Sequence, residues 1–347
     1  MATPTRRGLG WWWRSGGVAA MFVLAMTPRV GVAADGSFPE PEELAPAVRF
    51  WAATFTQYGQ RDVVIHDREQ LGLVYDVVRD VSSSDDSRVQ AGIAAAIERI
   101  ERSVARGPLA LFQARAPALE PLARIRTIRG QRESFEQGLT AERLFRPAVR
   151  RALAAESLPL DLAALPLIES AYHPGMVSGA GAVGLWQLTA DVADRWLKID
   201  GKVDERGDPG RASIAAAAYL RDLHARFGSW PLALTAYNHG PTGVERARAA
   251  VGSDDLGKIV SAYDGPGFGF ASRSFYASFL AARHVLKHSA DYFPSIKASR
   301  VVTYKVKRGD TLEAVAKRHG VTIPSLRVAN GIRAAAIKPG QMLLVRL

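Results

Sequence analysis

Apolar positions recur at helical spacing over most of the chain. From Val48 they put Phe50, Trp51, Phe55 and Tyr58 forward as core contacts of one helix. The run Val63-Val64-Ile65 interrupts with a short strand-like pattern, and helical spacing returns over Leu71 to Val78. Ser82 to Asp86 predicts a loop, Val89 to Val104 an amphipathic helix, and Leu144 to Ala155 a further helix. The arginines of Arg124 to Leu139 read as a solvated helix face.

One carboxylate falls where the pattern calls for an apolar residue. Leu158, Leu162, Leu165 and Tyr172 form a stripe, and Glu169 lies on it. Pro166 costs that helix a hydrogen bond and predicts a bend or restart three residues before the acid. Pro174, Gly175, Gly179, Gly181 and Gly184 follow and predict an exposed, tightly turned loop. Among leucines the charged form loses hydration, so the Glu169 pKa is expected to rise toward neutrality, which suits a general acid. Pairing with an arginine, or capping of a neighbouring helix, is the bland alternative.

Downstream, Asp208-Pro209 opens an Ala-rich helix whose Ala216, Leu220, Leu223 and Phe227 share one face, and Gly228 stops it. Trp230-Pro231 starts the next helix, which ends at Gly240-Pro241 and leaves Tyr237 and Asn238 at its C-terminus. Gly265 to Gly269 is a loop, and Ser274-Phe275-Tyr276 opens a helix through Leu286. Val302 to Val306 alternates as a strand at the start of a C-terminal segment. His66, isolated beside charged neighbours, reads as a solvated surface residue.

Composition narrows the setting. The 347 residues suffice for more than one domain, and the absence of cysteine excludes disulfides, thiolate metal sites and a lipid-modified cysteine. Arg6, Arg7 and Arg14, the apolar run Val18 to Met26, and Val32-Ala33-Ala34 before Asp35 together read as a secretory signal peptide over residues 1–34. The run is too short to span a bilayer, so no stable membrane span is expected after cleavage. The net charge of +11 is uneven: residues 301–347 hold nine Lys/Arg against Asp310 and Glu313, and residues 35–300 are neutral. Basicity thus belongs to the tail.

Glu169-Ser170, Ser178 with GAVGLWQ (Gly181 to Gln187), and AYNHG (Ala236 to Gly240) resemble, in order, the motifs of the soluble-lytic-transglycosylase (SLT) domain, whose fold is related to goose-type lysozyme. The LWQ triplet, and Arg-Gly-Gln with Phe-x-x-Gly-Leu within Arg124 to Leu139, are most similar to the membrane-bound lytic transglycosylase D group. Gly309-Asp310-Thr311-Leu312, Asn330-Gly331 and Pro339-Gly340 resemble a LysM module, a strand-helix-helix-strand fold that binds N-acetylglucosamine-containing glycans.

These resemblances imply a mainly α chain: a signal peptide (1–34), a helical N-terminal region (35–150), a lysozyme-like catalytic domain (151–293), a linker (294–300) and a βααβ LysM domain (301–347). They imply Glu169 as the catalytic residue and Ser178, Gln187, Tyr237, Asn238 and Tyr276 as glycan-holding groups. The helix-opening Asn-Tyr of the D group would fall on Ser274-Phe275, one place before Tyr276. For the LysM module they imply glycan contacts at Asp310, Thr311 and Ile337. No cofactor or metal is implied.

The expected partner is peptidoglycan glycan, with no nucleic acid, in a secreted or periplasmic, wall-associated setting; the sequence carries no signal of oligomeric state. Gln187 tying the loop, Tyr237 serving as a core residue and His239 facing solvent remain alternatives. Most glycosidases use two carboxylates. Here Asp161 stands eight residues before Glu169 beyond a proline bend, and the loop to Gln187 holds no acid. The resemblance therefore implies a single-carboxylate reaction that leaves a 1,6-anhydro end. A lysozyme-type hydrolase and a catalytically silent wall-binding protein are the rivals.

Overall fold

Prolines, side-chain caps and left-handed glycines set the ends of the helices that carry this fold. The structure is a computed structural model that describes residues 37–82, 86–105, 121–200, 202–298, 300–330, 332 and 337–347. The expected signal peptide lies outside the described residues. The chain is mainly α-helical.

Helix α1 (Ala45–Thr56) precedes a three-stranded antiparallel sheet of β1 (Val63–Asp67), β2 (Val74–Val78) and β3 (Ile125–Arg129), with β1 in the middle. Val63 pairs with Val78 on one side and Arg129 on the other. One face, through Val63, Ile65 and Val78, packs on Val89 and Ala96 of α2 (Ser87–Ala105).

The structure corrects three sequence readings here. Leu71, Val74, Tyr75 and Val78 match helical spacing, yet Val74 to Val78 is a strand. Its β-branched residues gain more by pairing with β1 than from a lone helical turn. Ile125 to Arg129 is likewise a strand, and Arg124 before it is drawn inward to a 2.8 Å ion pair with the fully buried Asp67. His66 is fully buried, its ring centroid 4.7 Å from Phe50 and 5.6 Å from Phe270, with Nε2 lacking a hydrogen-bond partner among the described residues.

Helix α3 (Arg132–Ala155) runs unbroken through Pro147, one helix where the sequence suggested separate segments. A 3-10 turn (Leu160–Ala164) leads to the short α4 (Leu165–Ser170), which restarts with Pro166 in its first turn, as the sequence predicts. Helix α5 (Pro209–Phe227) is capped by Asp208, whose carboxylate accepts from the Arg211 amide at 2.8 Å, and ends at Gly228 with φ +68°. Its Ala212, Ala215, Ala216 and Leu220 are buried, so small side chains let α3 and α6 (Trp230–His239) approach closely.

Next come α7 (Pro241–Val251) and α8 (Leu256–Ala262), the latter capped by Asp255. Helix α9 (Phe270–Lys287), buried along most of its length, packs on α1, α4 and α6. After Phe293 and a 3-10 turn (Pro294–Ala298), the C-terminal module runs β4 (Val301–Lys305), α10 (Leu312–His319), α11 (Ile323–Asn330) and β5 (Met342–Arg346). Its strands pair antiparallel, and its core is Val306, Leu312, Val315, Leu326, Leu343 and Val345.

Candidate active site

Glu169 occupies the last turn of α4. It is partly exposed, and no hydrogen bond or ion pair to its carboxyl is formed among the described residues. Burial alone pushes its pKa up to about 8, with no neighbouring charge opposing the shift. The arginine pairing left open by the sequence is absent among the described residues. Asp161 differs in kind. Burial would raise it, but hydrogen bonds from Lys287 (2.6 Å) and Arg283 (2.5 Å) outweigh that and hold it below the usual carboxylate range. Asp161 is thus a fixed anion, and Glu169 a carboxyl that keeps its proton near neutrality.

The helix stops after Glu169 because the backbone turns left-handed at two successive residues, Ala171 (φ +49°) and Tyr172 (φ +57°). Neither is glycine, so the turn is strained and needs anchors. Tyr172 is fully buried and donates to the Ala163 carbonyl at 2.6 Å. It belongs to the apolar stripe by burial but lies off the helix. Ser170 Oγ donates to the Leu185 carbonyl at 2.8 Å.

Three consecutive residues then close the loop. The Leu185 carbonyl takes Ser170. The Trp186 carbonyl takes the Tyr237 hydroxyl at 2.6 Å, while the buried indole of Trp186 donates to Ser213 at 3.0 Å. Gln187, with φ +47°, donates from Nε2 to the carbonyls of Gly184 (2.9 Å) and Met176 (3.3 Å). Its amide nitrogen therefore ties the loop. Ser178 Oγ accepts from the Ala182 amide at 3.0 Å and closes the turn at the loop's outer end. Gly184 has φ +81°, and a Cβ there would stand 2.1 Å from the Arg206 carbonyl, so only glycine fits.

Arg206 went unnoticed in the sequence. Held by Asp204 at 2.7 Å, it is buried and donates to the carbonyls of Gly181 (2.9 Å) and Leu188 (3.2 Å), bracing the loop from below. Nothing in its local pattern marked it, since a loop arginine beside an aspartate reads as solvated.

Tyr237 stands close enough to Glu169 that the carboxylate charge, after burial, helps hold the phenol well above its ordinary pKa. The Tyr237 ring lies 5.6 Å from Tyr219, and Tyr219 lies 6.2 Å from Trp196. These last two aromatics are half-buried and were also missed, because nothing in their local pattern sets them apart from core residues. Asn238 is exposed at the end of α6. His239 Nδ1 is 3.0 Å from Ser272 Oγ, and its ring packs edge-on against Phe268, so it joins α6 to the Gly265–Gly269 loop.

Tyr276 is not open to solvent. It is 1% exposed within α9, and its hydroxyl donates to the Pro39 carbonyl at 2.8 Å. Ser274 and Phe275, the alternative register, are buried too. Buried to this degree, none of the three presents a surface to a glycan. In the C-terminal module, Asp310 accepts from the Tyr304 hydroxyl (2.6 Å) and the Lys307 amide (2.7 Å), Thr311 caps α10, and Ile337 packs on the module's core. All three side chains have structural work there.

Comparison with known proteins matches these two regions. Residues 148–259 match the transglycosylase SLT domain, and residues 304–346 the LysM domain. The membrane-bound lytic murein transglycosylase D of Escherichia coli K12 is 28% identical over 193 residues, covering 52% of this chain and 41% of that protein. The membrane-bound lytic murein transglycosylase F of Maricaulis maris is 34% identical over 122 residues, covering 32% of this chain and 25% of that protein. The chain thus spans less than half the length of either relative. The crystal structure of the 70 kDa soluble lytic transglycosylase from Escherichia coli superposes with a TM-score of 0.36 at 22% identity, over 44% of this chain and 25% of that one. Glu169, Ser178, Gln187, Tyr237 and Asn238 all fall inside the first matched region and Tyr276 outside it; the chain carries a transglycosylase SLT domain followed by a LysM domain.

Proposed function

We propose that this chain is a peptidoglycan lytic transglycosylase that cleaves the β-1,4 bond between N-acetylmuramic acid and N-acetylglucosamine. The observation that carries this is the contrast between two carboxyls: Glu169, without a partner among the described residues and protonated near neutrality, and Asp161, committed to Arg283 and Lys287. One carboxyl suffices where the sugar supplies its own nucleophile. Glu169 donates its proton to the bridging oxygen as the bond to the muramyl C1 breaks. The resulting carboxylate takes the proton from the C6 hydroxyl of the same sugar. That oxygen then bonds to C1, closing a 1,6-anhydro ring and returning Glu169 to its acid form. No water is consumed.

Tyr237 and Asn238, with Tyr219 beside them, form the wall on which the glycan rests, and Gln187 keeps an oxygen free of its loop bonds to receive a sugar hydroxyl. Ser178 shapes the rim of the loop. Asp310, Thr311 and Ile337 maintain the LysM module that holds the enzyme on the same polymer, outside the cytoplasm in a secreted or periplasmic setting. No helix among the described residues is long and apolar enough to cross a membrane. Mass spectrometry of products released from purified sacculi tests the proposal. Anhydro-muramyl ends are expected from the parent and none from Glu169→Gln. Reducing ends would assign the site to a lysozyme-type hydrolase, and equal release by the Gln variant would assign it to neither.

A further inference from the structure

The turn that carries Glu169 is fastened at its far end to the other module. His173, four residues after the acid, is buried, and its Nδ1 accepts the Gly175 amide at 3.1 Å. That bond fixes the tautomer, so Nε2 bears the hydrogen and donates to Asn330 Oδ1 of the LysM module at 3.2 Å. Asn330 is itself the staple of that module. Its Nδ2 donates to the Leu326 and Leu344 carbonyls, at 2.7 and 2.8 Å, and its Oδ1 also accepts the Leu344 amide at 2.7 Å. His173 therefore plugs into the bond that joins α11 to β5.

Contacts around the joint fix the module on both sides. A Cβ at Gly175 would stand 3.3 Å from the His173 ring and 3.5 Å from the Met342 carbonyl, so a larger side chain would crowd both the ring and β5. Arg346 reaches Glu136 of α3 at 3.5 Å, and Glu136 also accepts from Ser295 at 2.6 Å. The segment leading into the module is seated rather than loose. Phe293 and Ile296 are buried, Arg143 donates to the Ile296 carbonyl at 2.7 Å, and the Arg132 guanidinium lies over the Phe293 ring.

We propose that the docked LysM module positions Glu169: His173, held by Asn330, anchors the strained Ala171-Tyr172 turn and so sets where the carboxyl points. The inference rests on Glu169 being the acid of the proposed reaction. Left-handed alanine and tyrosine residues are strained, and a turn of that kind keeps its shape only while its surroundings hold it. Tyr172 and Ser170 anchor one side within the SLT domain, and His173 anchors the other across the module boundary. Releasing that anchor moves the carboxyl relative to a bound glycan, and displacements near 1 Å lower rates by up to about a hundredfold. His173 is on this view a positioning residue, and the LysM module a part of the catalytic machine as well as a tether.

The test uses the full chain and short soluble glycan oligomers, which need no wall anchoring. For His173→Leu, kcat is expected to fall about tenfold or more with KM within about twofold. His173→Gln, whose Nε2 still donates to Asn330, is expected to retain most of kcat. Gly175→Leu, at an exposed position, crowds the His173 ring and the Met342 carbonyl and is expected to lower kcat as His173→Leu does. Hydrogen exchange at the His173 and Met176 amides, which bond the Ser170 and His173 carbonyls, reports the state of the turn and should quicken in both damaging variants. Quickened exchange with parental kcat in either variant would overturn the proposal, as would equal loss in His173→Gln and His173→Leu. Should His173→Leu fail to fold, the Gly175→Leu result decides. Because kcat counts bonds cleaved whatever the new end groups are, a hydrolytic product would sink the proposed reaction and leave this test standing.

Discussion

Replacing Glu169 by glutamine should make the protein more stable while it abolishes activity, and the size of the gain should depend on pH. The native carboxyl has a pKa of about 8, raised from 4.5 by burial. In the unfolded chain the group titrates near its ordinary value, so between these two values folding must take up a proton. The contribution to stability is complete below 4.5 and is lost as pH rises through about 8. At 1.36 kcal/mol per unit, the cost of keeping Glu169 is about 1 kcal/mol at pH 5, about 3 at pH 7 and about 5 at pH 9. Glutamine is neutral throughout and presents a similar unpaired polar head, so the difference isolates the proton. Thermal unfolding of both proteins at these pH values reads the gain, at roughly 2 °C per kcal/mol for a chain of this size. A gap that is constant with pH would refute the reasoning, and a parent more stable than the variant at pH 7 would mean that the carboxylate has a partner in solution.

The same titration predicts activity: kcat/KM should decline as pH rises through about 8, where the acid form of Glu169 disappears. Tyr276→Phe should leave activity per folded molecule unchanged and cost about 1 kcal/mol in denaturant unfolding as the bond to Pro39 is lost. Tyr237→Phe strips the Trp186 carbonyl of its donor and should lower both stability, by about 1–2 kcal/mol, and kcat on short glycans. Gly184→Ala forces a Cβ into the Arg206 carbonyl at a positive φ and should lower stability by about 3 kcal/mol or more, seen as loss of soluble protein. Asp161→Asn removes the anion that Arg283 and Lys287 share. It should cost about 2 kcal/mol in thermal unfolding while kcat stays near parental, because Asp161 takes no part in the chemistry.

Local signals that agree with tertiary structure were legible in the sequence. Asp208-Pro209 and Gly228 bracket α5 because a cap, a proline and a left-handed glycine act within one turn of chain. Pro166 restarts α4 for the same reason. Glu169 stood out because an acid on a leucine stripe followed by glycines has few uses. Features settled by distant partners were not legible. Val74 to Val78 obeys helical spacing until β1 claims it, and His66 is enclosed by Phe50 and Phe270, the latter two hundred and four residues away. Tyr276 sits in the buried middle of α9, a fact visible only once α1 and α6 are packed on it. The joint between His173 and Asn330 spans 157 positions, and no local pattern connects them.

The central claim is that one carboxyl serves as acid and then base while the sugar supplies its own nucleophile. Digestion of purified sacculi in heavy-oxygen water, followed by mass spectrometry of the new chain ends, tests it most directly. Anhydro-muramyl ends without heavy oxygen are expected from the parent, and no new ends from Glu169→Gln. Reducing ends that carry the heavy isotope would contradict it.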